Sequence, residues 1–250
     1  MSSLFNEGVL RIQTEDLEVQ RKFLKTLSEV RFMDVEYLLR LGCFFVPNQD
    51  YLIHMFGPAC VTPECGFYNY DGSCKFLGNL MIPIRSVEDD IVGFTSFNLE
   101  AHFADYELNL PKYVVSGKSV FNKNRFMLIP NGYKKMLEDG YCIIVDGNFD
   151  SLTLASMGLN SCCVLGSSIS DYILFLLSFI PNRYVARDND LAGLRLFNSI
   201  NSKLPGTRSL LQGSTKDIDE FLQDESKRNK VRDFIFSKLS SEIKTDIILK

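Results

Sequence analysis

With 250 residues, 46% of them hydrophobic and 23% charged, the chain can bury one large core or two smaller ones, as an ordinary globular protein does. A net charge of −4 excludes a global basic field for nucleic acid, so any such partner has to be held by a local patch. Seven cysteines, no basic-then-apolar amino terminus, and a longest apolar run (Tyr172 to Ile180, broken by Ser178) too short for a bilayer point to a reduced, soluble, cytoplasmic protein with no membrane partner.

From Glu15 to Arg40 the pattern predicts helix. Leu17, Phe23, Leu24, Leu27 and Val30 recur at helical spacing, and Val35, Leu38 and Leu39 continue it until Gly42 stops it. Phe44 to Phe76, rich in aromatics, glycine and proline, reads as short strands and turns. Leu77 to Phe97 predicts a β-hairpin, in which Leu80-Met-Ile-Pro-Ile84 and Ile91-Val-Gly-Phe94 flank an acidic turn at Glu88-Asp89-Asp90. A loop-rich segment runs on to about Gly140. Strand and helix then alternate: strands at 141–145, 161–165, 183–187 and 207–211, and helices at 150–157, 171–179, 191–201 and 217–223. Such alternation indicates βαβ units and a mainly parallel sheet. A polar helix near 225–239 follows.

Acids follow two of these strands. Asp146 comes directly after Tyr141-Cys-Ile-Ile-Val145, and Asp188 and Asp190 come after Arg183-Tyr-Val-Ala186. Any one of them is ordinary as a turn or N-cap residue. Together, at the carboxyl ends of strands in one open α/β sheet, they are expected to converge on one crevice. Carboxylates plus substrate phosphates are how proteins hold Mg²⁺, so the spacing points to a metal site for phosphate chemistry.

A second signal is basic. Lys112, Lys118, Lys123, Arg125, Lys134 and Lys135 lie in a stretch without acids, interleaved with Tyr113, Phe121, Phe126 and Tyr133. A charge run is usually a solvated face, but interleaved aromatics suit a groove that tracks a single-stranded backbone. Cys60, Cys65 and Cys74, with His54 upstream, are spaced by five and nine and match no paired zinc knuckle, so core thiols are the better reading. His102 has no neighbouring nucleophile pattern, and Gly-x-x-x-x-Gly-Lys is absent.

Taken in order, the segments resemble a known family. Val145-Asp-Gly-Asn-Phe-Asp-Ser-Leu152, Gly158-Leu-Asn-Ser-Cys-Cys-Val-Leu-Gly166 and Arg187-Asp-Asn-Asp-Leu-Ala-Gly193 are similar to the successive motifs of a TOPRIM domain. Upstream, Asn79-Leu-Met-Ile-Pro-Ile84 with Ile91-Val-Gly-Phe94, and Pro111-Lys-Tyr113 with Phe121-Asn-Lys123, resemble the matching segments of the DnaG-type primase catalytic core of bacteria and phages. Lys216-Asp-Ile-Asp-Glu-Phe-Leu222 is similar to the motif that follows the TOPRIM strands. The likeness covers 79 to 222.

The resemblance implies a mixed α+β subdomain at 1–140, a Rossmann-like TOPRIM α/β domain at 141–215 and a helical tail at 216–250. It implies a DNA-directed RNA primase that makes short primers from ribonucleoside triphosphates on single-stranded DNA with Mg²⁺ or Mn²⁺, two ions in all. By matching position, Asp146, Asp188 and Asp190 are the catalytic acids. Asp150, Asp217 and Asp219 join them in the metal set, while Arg85, Lys112, Lys118, Lys123 and Arg125 face nucleotide or template. Three positions depart from the family: Asp146 stands where it has Glu, Asn79 where it has Arg, and Leu194 where Arg often follows Ala-Gly. No zinc-binding or helicase-binding segment of usual length is recognisable, so a replicative helicase or a separate zinc-binding protein is the expected source of template recognition. Two other functions share the pattern: a TOPRIM nuclease, and a catalytically silent single-strand-binding replication subunit.

Overall fold

The computed structural model describes residues 1–31, 33–62, 65–98, 113–115, 122, 124–165, 169–187 and 190–210, with 229, 233, 236 and 237 beyond them. Two β-sheets organise these residues. The first is antiparallel in the order β1-β2-β3-β4, formed by Phe44–Phe45, Asn79–Arg85, Ile91–Asn98 and Tyr113–Val115. At its centre is the expected hairpin. Its turn is closed by Ser86 N–H donating to Asp90 O at 2.8 Å and Asp89 N–H to Ser86 O at 3.1 Å. Asp89 takes φ 72°, a left-handed conformation that Asp adopts more readily than most residues.

Four helices surround this sheet: α1 (Ser2–Glu15), α2 (Leu17–Arg31), α3 (Val35–Leu41) and α4 (Tyr51–Phe56). The helical pattern read from Glu15 to Arg40 is thus interrupted. Asp34 starts α3 by accepting from the N–H groups of Glu36 (2.9 Å) and Tyr37 (3.3 Å), and Gly42 at φ 84° ends it. Neither α1 nor α4 was anticipated. The strand period of two sorts the side chains: Leu80, Ile82, Ile84 and Phe97 enter a core shared with the second sheet, whereas Met81 and Phe94 enter an aromatic cluster with Phe5, Phe44, Phe56 and Phe67.

Gly8 lets α1 lie against that cluster. A Cβ at this position would stand 2.2 Å from Phe56 Cδ1 and within 2.6 Å of two further ring atoms. Alanine is the better helix former by about 1 kcal/mol. The Phe56 ring, however, is boxed in by Phe5, Phe44, Phe67 and Phe94, and overpacking a core costs about 1–3 kcal/mol. Gly8→Ala should therefore lower the thermal midpoint in a circular-dichroism melt; a raised midpoint would mean that the ring yields.

The second sheet has the order β5-β7-β6-β8-β9, with β5 at Met127–Leu128, β6 at Tyr141–Val145, β7 at Ser161–Val164, β8 at Asn182–Ala186 and β9 at Arg208–Leu210. Only the β5 edge is antiparallel. The helices are α5 (Tyr133–Asp139), α6 (Asn148–Ser156), α7 (Asp171–Ser178) and α8 (Leu191–Lys203). The strand–helix alternation read from the sequence places β6 to β9 and α6 to α8 within a few residues. β4, β5 and α5 lie in the stretch read as loop. The helix expected at 217–223 falls outside the described residues, and within 225–239 the four described positions are helical.

Chain direction decides which face each helix covers. The path runs from β6 to β7 on one side, then back past β6 to β8 and β9 on the other, and crossovers between parallel strands are right-handed. That puts α6 on one face and α7 and α8 on the opposite one. The cores agree: Phe149 and Leu152 of α6 share a cluster with Leu80, Ile82 and Phe97 of the first sheet, while Ile173, Leu177 and Ile200 pack with Cys142 and Ile144 on the far side. The sheet reverses its winding at β6, and the crevice outside the carboxyl end of that strand is where such folds bind ligands. Among the described residues no helix is long and apolar enough to cross a membrane.

Candidate active site

Asp146 is the first residue beyond β6 and is exposed at the switch point. The parallel register, Val145 beside Cys163 and Ile144 beside Val185, brings the ends of β6, β7 and β8 to one edge of the sheet. Gly147 then leads into α6, whose third residue is Asp150, only 8% exposed. Its carboxylate lies in the first turn, where the helix dipole favours negative charge. It packs so closely over Gly147 that a Cβ there would come within 1.9 Å of Oδ2. Both acids act on the same neighbour: burial first, then the charges of Asp150 and Asp146, hold the Cys163 thiol well above its ordinary range.

Asp190 caps α8. It is exposed, and its Oδ1 accepts from the Gly193 N–H at 2.8 Å, which leaves Oδ2 outside that bond. Both readings of this residue, N-cap and metal ligand, are therefore open to it at once. Asp188, Asp217, Asp219, Lys112, Lys118 and Lys123 lie outside the described residues. Among the described residues no three of His, Cys, Asp and Glu are gathered as a metal-holding group. Cys60 and Cys65 are buried in the aromatic cluster with Cys74 half-buried beside it, and burial pushes the Cys60 thiol up to about 12.

The two described arginines of the basic set meet in a different place. Arg85 and Arg125 both line a cleft of about 410 Å³ between the hairpin turn and the β5 edge, together with Tyr172, Glu88 and Asp90. Arg85 is largely committed to its own hairpin. It donates to Asp89 O at 2.9 Å and Leu41 O at 3.4 Å and lies 3.8 Å from the Asp89 carboxylate. Arg125 sits over the Tyr172 ring, 5.4 Å from its centroid, a cation–π arrangement that keeps the guanidinium at the surface. Neither Asp146 nor Asp190, the described strand-end acids, lines this cleft.

Sequence reasoning missed Asn148 and Thr95. Asn148 opens α6 between the two acids and is 7% exposed, and its Nδ2 donates to the Thr95 hydroxyl of β3 at 2.9 Å. Its Oδ1 accepts from the Cys163 thiol at 3.4 Å. A polar pair inside a buried strand (Thr95-Ser96) and a polar residue between two acids (Asn148) were the available signals. Neither says which partner it meets.

No protein-family model matches the chain. It is similar to the DNA primase of Thermotoga maritima, 30% identical over 159 residues, which is 60% of this chain and 27% of that protein. Across the first such relatives the chain spans between 21% and 27% of their length. Its fold is that of solved primase cores. The Aquifex aeolicus primase structure, comprising zinc-binding and RNA polymerase domains, matches with a TM-score of 0.72 at 21% identity, over 94% of this chain and 61% of that one. A DnaG primase catalytic domain bound to single-stranded DNA matches with a TM-score of 0.66 at 22% identity, over 88% of this chain and 75% of that one.

Proposed function

We infer that this chain is a DnaG-type primase catalytic core, and propose that it synthesises short RNA primers on single-stranded DNA. The observation that carries the reading is Asp146 and Asp150 bracketing the switch point of a parallel sheet, on a fold shared with primase cores. In the reaction the 3′-hydroxyl of the growing primer attacks the α-phosphate of a ribonucleoside triphosphate. A phosphodiester bond forms, the bond to pyrophosphate breaks, and the hydroxyl proton is released. The donor set fits a hard divalent cation, since Asp146 at the end of β6 and Asp150 in the first turn of α6 offer carboxylate oxygens. Asp146, Asp150, Asp188 and Asp190, joined by Asp217 and Asp219, would hold Mg²⁺ or Mn²⁺. Two bound ions would stabilise the attacking and leaving oxygens. The protein's own part is placement: Asp146 is fixed by the end of β6, Asp150 by the first turn of α6, and Asp190 by the start of α8.

On this reading Lys112, Lys118, Lys123 and Arg125 hold nucleotide or template phosphates, as does Arg85, which shares its cleft with Arg125. The subdomains divide at about 140 and 215, and a separate zinc-binding module or a replicative helicase supplies template recognition. The test is primer synthesis with labelled ribonucleotides on single-stranded DNA, in Mg²⁺ or Mn²⁺, with and without the helicase from the same source. Short RNA products are expected. Metal-dependent strand cleavage would instead identify a nuclease, and intact single-strand binding without products would identify a silent replication subunit.

A further inference from the structure

We propose that Asn148 is a positioning residue for this reaction: its amide, bonded to Thr95 of the first sheet, sets where the turn from Asp146 to Asp150 stands. The kinetic consequence rests on the primase reading, but the mechanics rest on geometry alone. Asn148 has both ends of its amide engaged, one on each sheet. Nδ2 donates to Thr95 Oγ1 at 2.9 Å, and Oδ1 accepts from Cys163 Sγ on β7 at 3.4 Å. Thr95 is fully buried, and its strand is held on both sides, with Ile82 of β2 and Val115 of β4 as register partners. The hydroxyl that Asn148 finds is therefore a fixed point.

The next residue repeats the contact. Phe149 meets Phe97, two positions along β3, edge to face at 4.5 Å between centroids. Apolar packing of this kind is nearly non-directional, so the two layers could slide against each other by small amounts at little cost. A buried hydrogen bond is directional and penalises every arrangement that leaves its partners unpaired. An apolar side chain at 148 would fill the space as well, which is why the polar choice needs a reason. Asp146 lies two residues before this anchor and Asp150 two residues after it, so an error in its position passes to both carboxylates.

Four variants test the idea: Thr95→Val, which keeps the shape and removes the hydroxyl; Asn148→Ala; the double variant; and Thr95→Ser, which keeps the hydroxyl. A misplacement near 1 Å costs about a hundredfold, and a loosened anchor costs less, so Thr95→Val should raise the half-saturating Mg²⁺ concentration of primer synthesis by about tenfold and lower kcat by about tenfold. KM for the ribonucleotide should move much less. Thr95→Ser should restore both values, and the double variant should be no worse than Asn148→Ala. A merely structural amide would lower the thermal midpoint and leave Mg²⁺ dependence and kcat untouched, which overturns the proposal. A second measurement does not depend on activity. Spin labels at Tyr70→Cys and Glu138→Cys, exposed positions beside the first and the second sheet, in a Cys74→Ser background that removes the half-buried native thiol, should report a broader distance distribution in Thr95→Val. An unchanged distribution overturns the proposal even if the wild type makes no primers, an outcome that would refute the primase reading instead.

Discussion

Asp146→Ala should reduce primer synthesis by about a thousandfold or more while leaving the fold in place. Metal-assisted stabilisation of developing charge is worth several kcal/mol, and each 1.36 kcal/mol is about tenfold in rate. The side chain is exposed beyond the end of β6, so its removal empties no core space, and surface changes usually stay within about 0.5 kcal/mol. That separation makes Asp146 a cleaner probe than Asp190. Asp190→Ala also removes the bond to Gly193 N–H that starts α8, and a lost N-cap costs about 1 kcal/mol by itself. The initial rate of primer synthesis and the thermal midpoint should be read on the same preparations. Asp146→Ala with full activity would remove this residue from the catalytic set. Asp146→Glu tests the departure from the resembled family. A carboxylate one methylene longer, on an exposed strand end, should remain active.

What could be read before the structure follows from how each signal is encoded. The β6 to β9 strands and the helices between them are local: Tyr141-Cys-Ile-Ile-Val145 is buried at every position, as a central parallel strand demands, and Asp146 and Asp190 follow their strands in the chain. The hairpin was equally open to reading, because the Leu80–Ile84 and Ile91–Phe94 runs are joined by a short acidic turn. Helix α1 was missed although Phe5, Val9 and Ile12 recur at helical spacing, because the segment was weighed only as a leader peptide. Helix α5 was missed because Lys134 and Lys135 read as the end of a basic, loop-rich stretch, whereas Lys134–Glu138 and Lys135–Asp139 are pairs four residues apart on its surface. The tie between Asn148 and Thr95 spans 53 positions of chain and has no periodicity, so only the packed fold reveals it. The same holds for the cleft that joins Arg85 to Arg125, which neither Asp146 nor Asp190 lines.

Gly147→Ala separates two roles for Asp150, metal ligand and helix-start acid. Gly147 takes φ −100° and ψ 135°, an extended conformation that alanine adopts without strain, so the penalty is steric. The new Cβ would stand 1.9 Å from Asp150 Oδ2 and 2.9 Å from Cγ. Asp150 is buried, so either its carboxylate leaves that position or the start of α6 moves and takes Asn148 with it. The expected cost in stability is about 1–3 kcal/mol, as for other overpacked sites. A misplacement near 1 Å costs about a hundredfold in rate, and primer synthesis should fall by that order. Truncating Asp150 removes the collision, so Gly147→Ala/Asp150→Ala should melt close to Asp150→Ala alone, a non-additive pair. Activity then decides between the roles. If Asp150 holds metal, Asp150→Ala is itself impaired and the double variant is no worse. If it serves only the helix start, Asp150→Ala stays active and the double variant recovers what Gly147→Ala lost. Full activity in Gly147→Ala would mean that the acid turn absorbs the clash without moving Asp146, and would take Asp150 out of the metal set.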